Sequence, residues 1–218
     1  MTQKETTARK TDRRTIYTRN TVKDALLELL ATQTYDTITV AALCRQAEIT
    51  RATFYLHFQD LNSVLDELLD EALMVAEAAS NDMSVEERMT TLRKILKSGS
   101  IKDLKKNERL LGPCQRVADD PKYRAVFQGP TLSHYVIRRI YQVEKDQMIP
   151  YIMRECHIDH NNADRLFMMI VYGLFYVNRS MQWKKDDEWY NFQMIMNKFM
   201  FGGLDTLKEE LIKKGHSS

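Results

Sequence analysis

The sequence predicts an all-α protein with an N-terminal three-helix helix-turn-helix domain and a C-terminal helical bundle that dimerises. Apolar residues recur at helical spacing over nearly the whole chain. The 218 residues include only seven glycines and four prolines, so few positions interrupt a helix. Hydrophobic residues make up 44% and charged residues 28%, which is typical of a folded globular protein.

Two short helices near the N-terminus have the spacing of a helix-turn-helix. A first amphipathic helix is predicted over about residues 16–33. Thr39 and Thr50 each precede a short helix and can cap it, because a threonine hydroxyl accepts hydrogen bonds from the free amides of the first turn. The two short helices are joined by three residues, so we expect a helix-turn-helix at about residues 39–58.

The third helix is predicted to present a face that fits the major groove of DNA. Phe54 and Phe58 lie one turn apart and are expected to point inward, which turns the residues between them outward. Arg51 can donate to guanine, and Thr53 can contact a base edge or a thymine methyl. The candidate DNA-binding residues are Thr39, Thr50, Arg51, Ala52, Thr53, Tyr55, Leu56 and His57.

The other members of this set are expected to contact either thymine or the phosphate backbone. Ala52 and Leu56 can pack on thymine methyl groups, whereas Tyr55 and His57 suit phosphate oxygens. Thr39 and Thr50 offer hydroxyls at helix starts, where phosphate oxygens bind readily.

The charge distribution also points to double-stranded DNA as a partner. The net charge is only +2, but residues 1–23 contain seven lysines and arginines against two acidic residues. Residues 61–218 contain 23 residues of each sign. This asymmetry predicts a flexible basic arm over residues 1–15 that meets a polyanion.

The stretch from Val22 to Leu73 resembles the DNA-binding domain of the TetR family of bacterial transcriptional regulators. The resemblance is strongest in YDTITVAALCRQAEITRATFYLHF, which ends at Phe58 and contains a specific Thr-Phe-Tyr-x-His-Phe core. It implies an all-α homodimer with an effector pocket and a dimerisation bundle in the C-terminal part. The positions that family members use on DNA are matched here by Thr39, Thr53, Tyr55 and His57.

The chain departs from the family pattern at two positions. Glu48 stands in the turn where the family usually has glycine, and it must either adopt an unfavourable backbone conformation or shift the turn. Leu61 stands at the start of the fourth helix, where the family usually has a lysine that contacts phosphate. The lost cation is expected to weaken non-specific affinity slightly, for which the basic segment Arg9–Arg19 can compensate.

These observations predict three segments: the arm over residues 1–15, a DNA-binding domain over 16–79, and an effector-binding and dimerisation domain over 80–218. Residues 123–201 contain 15 of the 20 aromatic residues, and eleven of the twelve methionines follow residue 73. Such side chains line adaptable apolar pockets and also fill ordinary cores. The candidate residues for an apolar or aromatic effector are Met148, Tyr151, Met168, Met169, Tyr172 and Tyr176.

The longest apolar run predicts a homodimer rather than a membrane protein. Leu166–Val177 has 12 residues, fewer than the roughly 20 that cross a bilayer. Predicted helices over 162–184 and 187–201 are apolar around much of their circumference, so a second copy is expected to cover them in a four-helix bundle. Three widely spaced cysteines and a polar N-terminus without a signal peptide favour a soluble cytoplasmic protein.

Two other functions remain open at this point. The chain could be a regulator or adaptor that answers to a protein partner, which a packed core would favour; a cavity of a few hundred Å³ would favour a small-molecule effector. The second is a metal-dependent enzyme, because Cys156, His157 and His160 have zinc-ligand chemistry, but no fourth ligand is evident. No nucleophile elbow, phosphate loop or paired-histidine motif is present, so we expect no enzymatic activity and no cofactor.

Overall fold

All regular secondary structure in the described part of the chain is helical. The computed structural model describes residues 3–78, 83–118 and 120–215, in which eleven α-helices and two short 3-10 turns occur and no strand. The all-α prediction is confirmed. In chain order the α-helices are α1 (Gln3–Leu30), α2 (Val40–Gln46), α3 (Arg51–His57), α4 (Leu61–Ala78), α5 (Val85–Ser98), α6 (Ile101–Lys106), α7 (Pro113–Val117), α8 (Arg124–Gln128), α9 (Ser133–Cys156), α10 (His160–Ser180) and α11 (Asp187–Gly215).

The chain forms two compact units. The first comprises the residues up to Ala72 together with Pro121–His134, and the second comprises Leu73–Asp120 and the residues from Tyr135 onward. A boundary at residues 79–80 was expected, and residues 79–82 lie outside the described part. Pro121–His134 belongs to the first unit because α8 packs on α1.

The basic N-terminal segment is helical where the structure describes it. Helix α1 begins at Gln3, so most of the expected flexible arm over residues 1–15 belongs to this helix. Neither glycine nor proline occurs between residues 3 and 30, so nothing in the sequence interrupts the helix there. Met1 and Thr2 lie outside the described residues.

The apolar stripes of α1 and α4 supply fully buried side chains to the core of the first unit. Val22 and Leu26 on α1 are fully buried, and so are Val64, Leu65 and Leu68 on α4. These positions follow the helical spacing in the sequence, which explains why the two helices could be predicted.

The turn between α2 and α3 contains a residue in the left-handed backbone region. Glu48 has a φ of 52°, and its neighbour Ile49 donates its amide to the Cys44 carbonyl at 3.0 Å. A residue with a Cβ atom is disfavoured by roughly 1–2 kcal/mol in this region, where glycine is not. Glu48 therefore adopts the backbone conformation that its place in the turn demands, at a cost.

Glu71 on α4 connects three parts of the first unit. Its carboxylate accepts hydrogen bonds from Lys23 on α1 at 2.7 Å and from the Tyr123 hydroxyl at 2.9 Å, and it also pairs with Lys122. Burial alone would raise the pKa of Glu71, but the hydrogen bonds from Lys122, Lys23 and Tyr123 outweigh it and lower the pKa to about 2. Glu71 thus holds α1 and the segment before α8 against α4.

The second unit is built around an apolar cluster contributed mainly by α5, α6 and α11. Leu92 and Leu104 pack with Trp189 and Phe201 in this cluster. Glycine has a low helix propensity, yet α11 continues through Gly202 and Gly203 to Gly215. Packing of Phe201 immediately before them compensates for the low helix propensity of glycine.

The start and end of α5 agree with the sequence. Ser84 and Glu87 form a reciprocal capping box, and Gly99 ends the helix with a φ of 70°. No helix of the described residues combines the length and the apolar character that a membrane crossing requires.

Replacing Glu48 with glycine is expected to stabilise the protein by roughly 0.5–1 kcal/mol, because glycine adopts a positive φ without strain. Glu48→Ala removes the carboxylate but keeps a Cβ atom, so we expect it to leave stability nearly unchanged. Thermal unfolding of the three proteins checks this. A midpoint for Glu48→Gly at or below that of Glu48→Ala would contradict the expectation.

Replacing Glu71 with glutamine is expected to lower stability at neutral pH by roughly 1–2 kcal/mol. The pKa of Glu71 is lower in the folded chain than in the unfolded one, so its stabilisation is present above about pH 4.5 and is lost as the pH falls toward about 2. Urea unfolding at pH 7, 5, 4 and 3 should show that the free energies of unfolding of the unmodified protein and of Glu71→Gln become more similar as the pH falls. Asp146→Asn, at an exposed carboxylate on α9, is the control. Its free energy of unfolding should not approach that of the unmodified protein in this way.

Candidate nucleic-acid interface and ligand cavity

Helix α3 separates buried aromatic residues from an exposed outer face. Phe54 is fully buried and Phe58 is 4% exposed, whereas Tyr55 and Leu56 are 58% and 81% exposed. Arg51 and Ala52 are also exposed, and Thr53 and His57 are half-buried. Tyr55 and Leu56 are neighbours and lie beside the cation of Arg51, so this face combines apolar and charged groups as a contact surface does.

Two threonine hydroxyls fix the start of α3. Thr50 Oγ1 accepts a hydrogen bond from the Thr53 amide at 3.0 Å, and the two hydroxyl oxygens lie 2.9 Å apart. The cap predicted at Thr50 is present. Because a hydrogen bond connects the hydroxyls of Thr50 and Thr53, the two side chains have a fixed orientation relative to each other when they contact a partner.

Arg19 on α1 fixes the other end of α3. Its Nη1 donates to the His57 carbonyl at 3.0 Å, its guanidinium lies 4.8 Å from the centre of the Phe58 ring, and it pairs with Glu67 on α4. The sequence analysis had placed Arg19 among the basic residues available to DNA. Arg19 lies three residues before Val22, on the side of α1 that carries the apolar stripe. This spacing indicates that Arg19 packs against the rest of the domain.

Helix α2 is fixed in a similar way. Thr39 Oγ1 accepts a hydrogen bond from the backbone amide of Ala42 at 3.1 Å, as predicted. The side-chain amide of Gln46 donates to the carboxylate of Glu28 on α1 at 2.6 Å. Thr39 remains exposed, and its hydroxyl proton is not used by the cap. Leu43 and Cys44 are buried beneath. The structure therefore brings all eight candidate DNA-binding residues to α3 and the starts of the two short helices.

The second unit contains a cavity of about 120 Å³ lined mainly by apolar side chains. Met148 and Tyr151 of α9, two of the six candidate effector residues, line it. The other four candidates do not: Met168, Met169, Tyr172 and Tyr176 are absent from its wall. Pro150, inside α9, is exposed and borders a separate polar groove with Tyr141 and Asp164.

The register of α10 explains this difference. Its residues that line the cavity are Phe167, Ile170, Val171 and Leu174. Met168, Met169 and Tyr176 are 42%, 61% and 51% exposed and lie on other sides of the helix. Because the run from 166 to 177 is apolar all round, helical spacing alone does not reveal which side faces the interior.

The cavity also contains a charged group that the sequence analysis did not single out. Arg88 on α5 is only 9% exposed, with its Nη2 3.8 Å from Glu144 Oε2 and 3.7 Å from Met148 Sδ. Its Nε is buried and has no hydrogen-bond partner among the described residues. The signal was present, since Arg88 lies between Val85 and Leu92 on the apolar side of α5.

Burial keeps two other ionisable groups of the cavity neutral. Burial raises the pKa of the Cys114 thiol to about 12, with the charge of Glu144 adding to the effect. Burial also raises the pKa of the Tyr151 hydroxyl. Arg88 and Glu144 are therefore the charged groups among the described residues of the wall.

A chain of buried amides joins the cavity wall to α10 and α11. Gln115 of α7, which lines the cavity, donates to Gln193 at 2.5 Å. Gln193 Nε2 donates to the side-chain Oδ1 of Asn178 at 2.8 Å, and that oxygen also accepts from Trp189 Nε1 at 2.7 Å. Each amide in this chain has its orientation fixed by its neighbours.

The cysteine and histidines near residue 156 do not form a metal site. Cys156 is buried with its Sγ 3.8 Å from the Leu204 carbonyl, whereas His157 and His160 are exposed. Within the described ranges, no group of three or more histidine, cysteine, aspartate or glutamate side chains could hold a metal ion.

Comparison with known proteins bears on the first unit. Residues 22–68 match the model of a family described as bacterial regulatory proteins, tetR family. No curated protein matches the chain. No solved structure matches it either. The match begins within the last third of α1, includes α2 and α3, and ends within the first half of α4. Residues 22–68 therefore form a DNA-binding domain of the TetR type, which identifies the chain as a DNA-binding transcriptional regulator.

Proposed function

We propose that the protein is a repressor that binds a palindromic operator as a homodimer and leaves it when a small molecule occupies the second unit. The observation that carries the DNA-binding part is the outer face of α3, where Tyr55 and Leu56 are exposed beside the cation of Arg51. A regulator of this kind meets DNA in the bacterial cytoplasm.

The contacts in this proposal divide into base contacts and phosphate contacts. Arg51 and Thr53 read base edges, and the apolar Ala52 and Leu56 pack on thymine methyl groups. Tyr55, His57 and the hydroxyls of the two capping threonines, Thr39 and Thr50, bind phosphate oxygens and set the register of α3 on the duplex.

The homodimer in this proposal uses the exposed apolar sides of α10 and α11. Met169 and Tyr176 are exposed on α10, and Ile195 and Phe199 are 64% and 79% exposed on α11. A Cβ atom added at Gly173, Gly202 or Gly203 would meet nothing within 4 Å, so there is room for close approach of another helix. A second copy covers this surface, which a lone chain would leave in water.

The cavity supports a small-molecule effector over a protein partner, which is the alternative. Its volume of about 120 Å³ is below the few hundred Å³ of a typical drug site, and it suits a smaller ligand. The amide chain from Gln115 to Asn178 gives such a ligand a route to α10 and α11. If no small molecule binds, control by a protein partner becomes the better explanation.

Arg51→Ala and Thr53→Ala are each expected to lower discrimination between the best operator and a mismatched duplex by roughly 1–3 kcal/mol per lost base contact. Tyr55→Ala and His57→Ala should instead weaken binding to all duplexes alike. Selection from random duplexes supplies the operator, and fluorescence anisotropy at two salt concentrations measures the affinities. The control is Arg109→Ala, at an exposed arginine of the second unit. Affinity that hardly changes with salt would contradict DNA binding by this face.

Phe199→Glu is expected to convert a dimer into a folded monomer, because Phe199 is 79% exposed in the single chain and its replacement leaves the core intact. Sedimentation equilibrium at low micromolar concentration measures the mass, and circular dichroism verifies the fold. Leu56→Glu is the matched control, since it places the same charge at an equally exposed site on α3. A monomeric unmodified protein would contradict the homodimer.

A further inference from the structure

The guanidinium of Arg88 is buried beside the cavity without an adequate hydrogen-bond acceptor. It carries five N–H groups. Among the described residues, its contacts are the Met148 thioether at 3.7 Å and the Glu144 carboxylate at 3.8 Å, and its Nε has no partner. Sulfur in a thioether is a weak acceptor, and 3.8 Å is too long for a hydrogen bond. A buried donor without an acceptor costs free energy. A ligand that places an oxygen beside Arg88 would remove this cost.

The charges around this donor favour an uncharged occupant. Glu144 lies close enough to balance the charge of Arg88, and its side chain is only 15% exposed. Tyr151 and Cys114 are neutral, as described above. An anion would add an uncompensated negative charge beside Glu144, and a cation would add a positive charge beside Arg88.

The dimensions of the cavity limit the size of the occupant. Its volume is about 120 Å³. An engineered apolar cavity of about 150 Å³ in another protein binds benzene, so this volume corresponds to roughly one ring. Met148 is unbranched and flexible, so its thioether can move from Arg88 and give way to a better acceptor.

We propose that the effector is an uncharged molecule about the size of one substituted aromatic ring, with a carbonyl-type oxygen that accepts a hydrogen bond from Arg88. The oxygen replaces the Met148 thioether at the guanidinium, and the ring lies against the apolar wall formed by residues such as Leu92 and Phe167. That this molecule acts as an effector rests on the proposed function, whereas its binding to the cavity does not.

Four probes of similar size test the proposal by isothermal titration calorimetry on the full chain: acetophenone, ethylbenzene, benzoate and benzylamine. Acetophenone is expected to bind at least tenfold more tightly than ethylbenzene, because only the ketone supplies an acceptor. Benzoate and benzylamine are expected to bind more weakly than acetophenone. Tightest binding by benzoate or benzylamine, or equal binding of ketone and hydrocarbon, would overturn the proposal.

Substitution of Arg88 identifies the group responsible. In Arg88→Met the advantage of acetophenone over ethylbenzene should fall below twofold, while ethylbenzene binding persists. Because this change removes the positive charge of Arg88 beside Glu144, the double variant Arg88→Met/Glu144→Gln keeps the wall neutral and should give the same result. Arg109→Met makes the same substitution at an exposed arginine and should preserve the full advantage.

The remaining outcomes separate this inference from the proposed function. If none of the four probes binds, the cavity holds water only and the inference is overturned, whereas operator binding by the unliganded protein is unaffected. If acetophenone binds through Arg88 but leaves the operator complex intact in a gel-shift experiment, the proposed class of ligand is upheld. The proposal that the ligand releases the repressor from DNA is then contradicted.

Discussion

The DNA-binding face depends on the burial of Phe54. Helix α3 has only seven residues, too few to be stable alone in water, and Phe54 is its one fully buried side chain. The threonine cap at one end and the contact of Arg19 with His57 and Phe58 at the other fix a helix that Phe54 already attaches to the core. With so much of α3 anchored through one residue, most of its remaining side chains are available to a partner.

Local signals in the sequence were sufficient for this part of the fold. Thr39 and Thr50 cap the helices that they were expected to cap, since a cap depends on residues within one turn. Glu48 adopts the left-handed conformation because the turn has too few residues for any other route. The prediction of the third helix and its outer face followed from two phenylalanines at known spacing.

The parts that the sequence did not reveal depend on contacts between distant segments. Arg19 was assigned to DNA because its partner Glu67 lies 48 residues further along the chain. Met168 and Met169 were assigned to a cavity because a helix that is apolar on every side gives no indication of which side faces inward. Arg88 was overlooked because a charged residue within an apolar stripe gains its meaning only when the residues around it, such as Met148 and Glu144, are known.

The return of Pro121–His134 to the first unit has a consequence for synthesis on the ribosome. The residues up to Ala72 emerge first, but Glu71 lacks Lys122 and Tyr123, and α1 lacks α8, until a further 60 or so residues have been added. At about 5–20 residues per second this interval is roughly 3–12 s. Helices α5, α6 and α7 are translated within it, so the nascent chain completes its DNA-binding unit only after it has made the first helices that line the cavity.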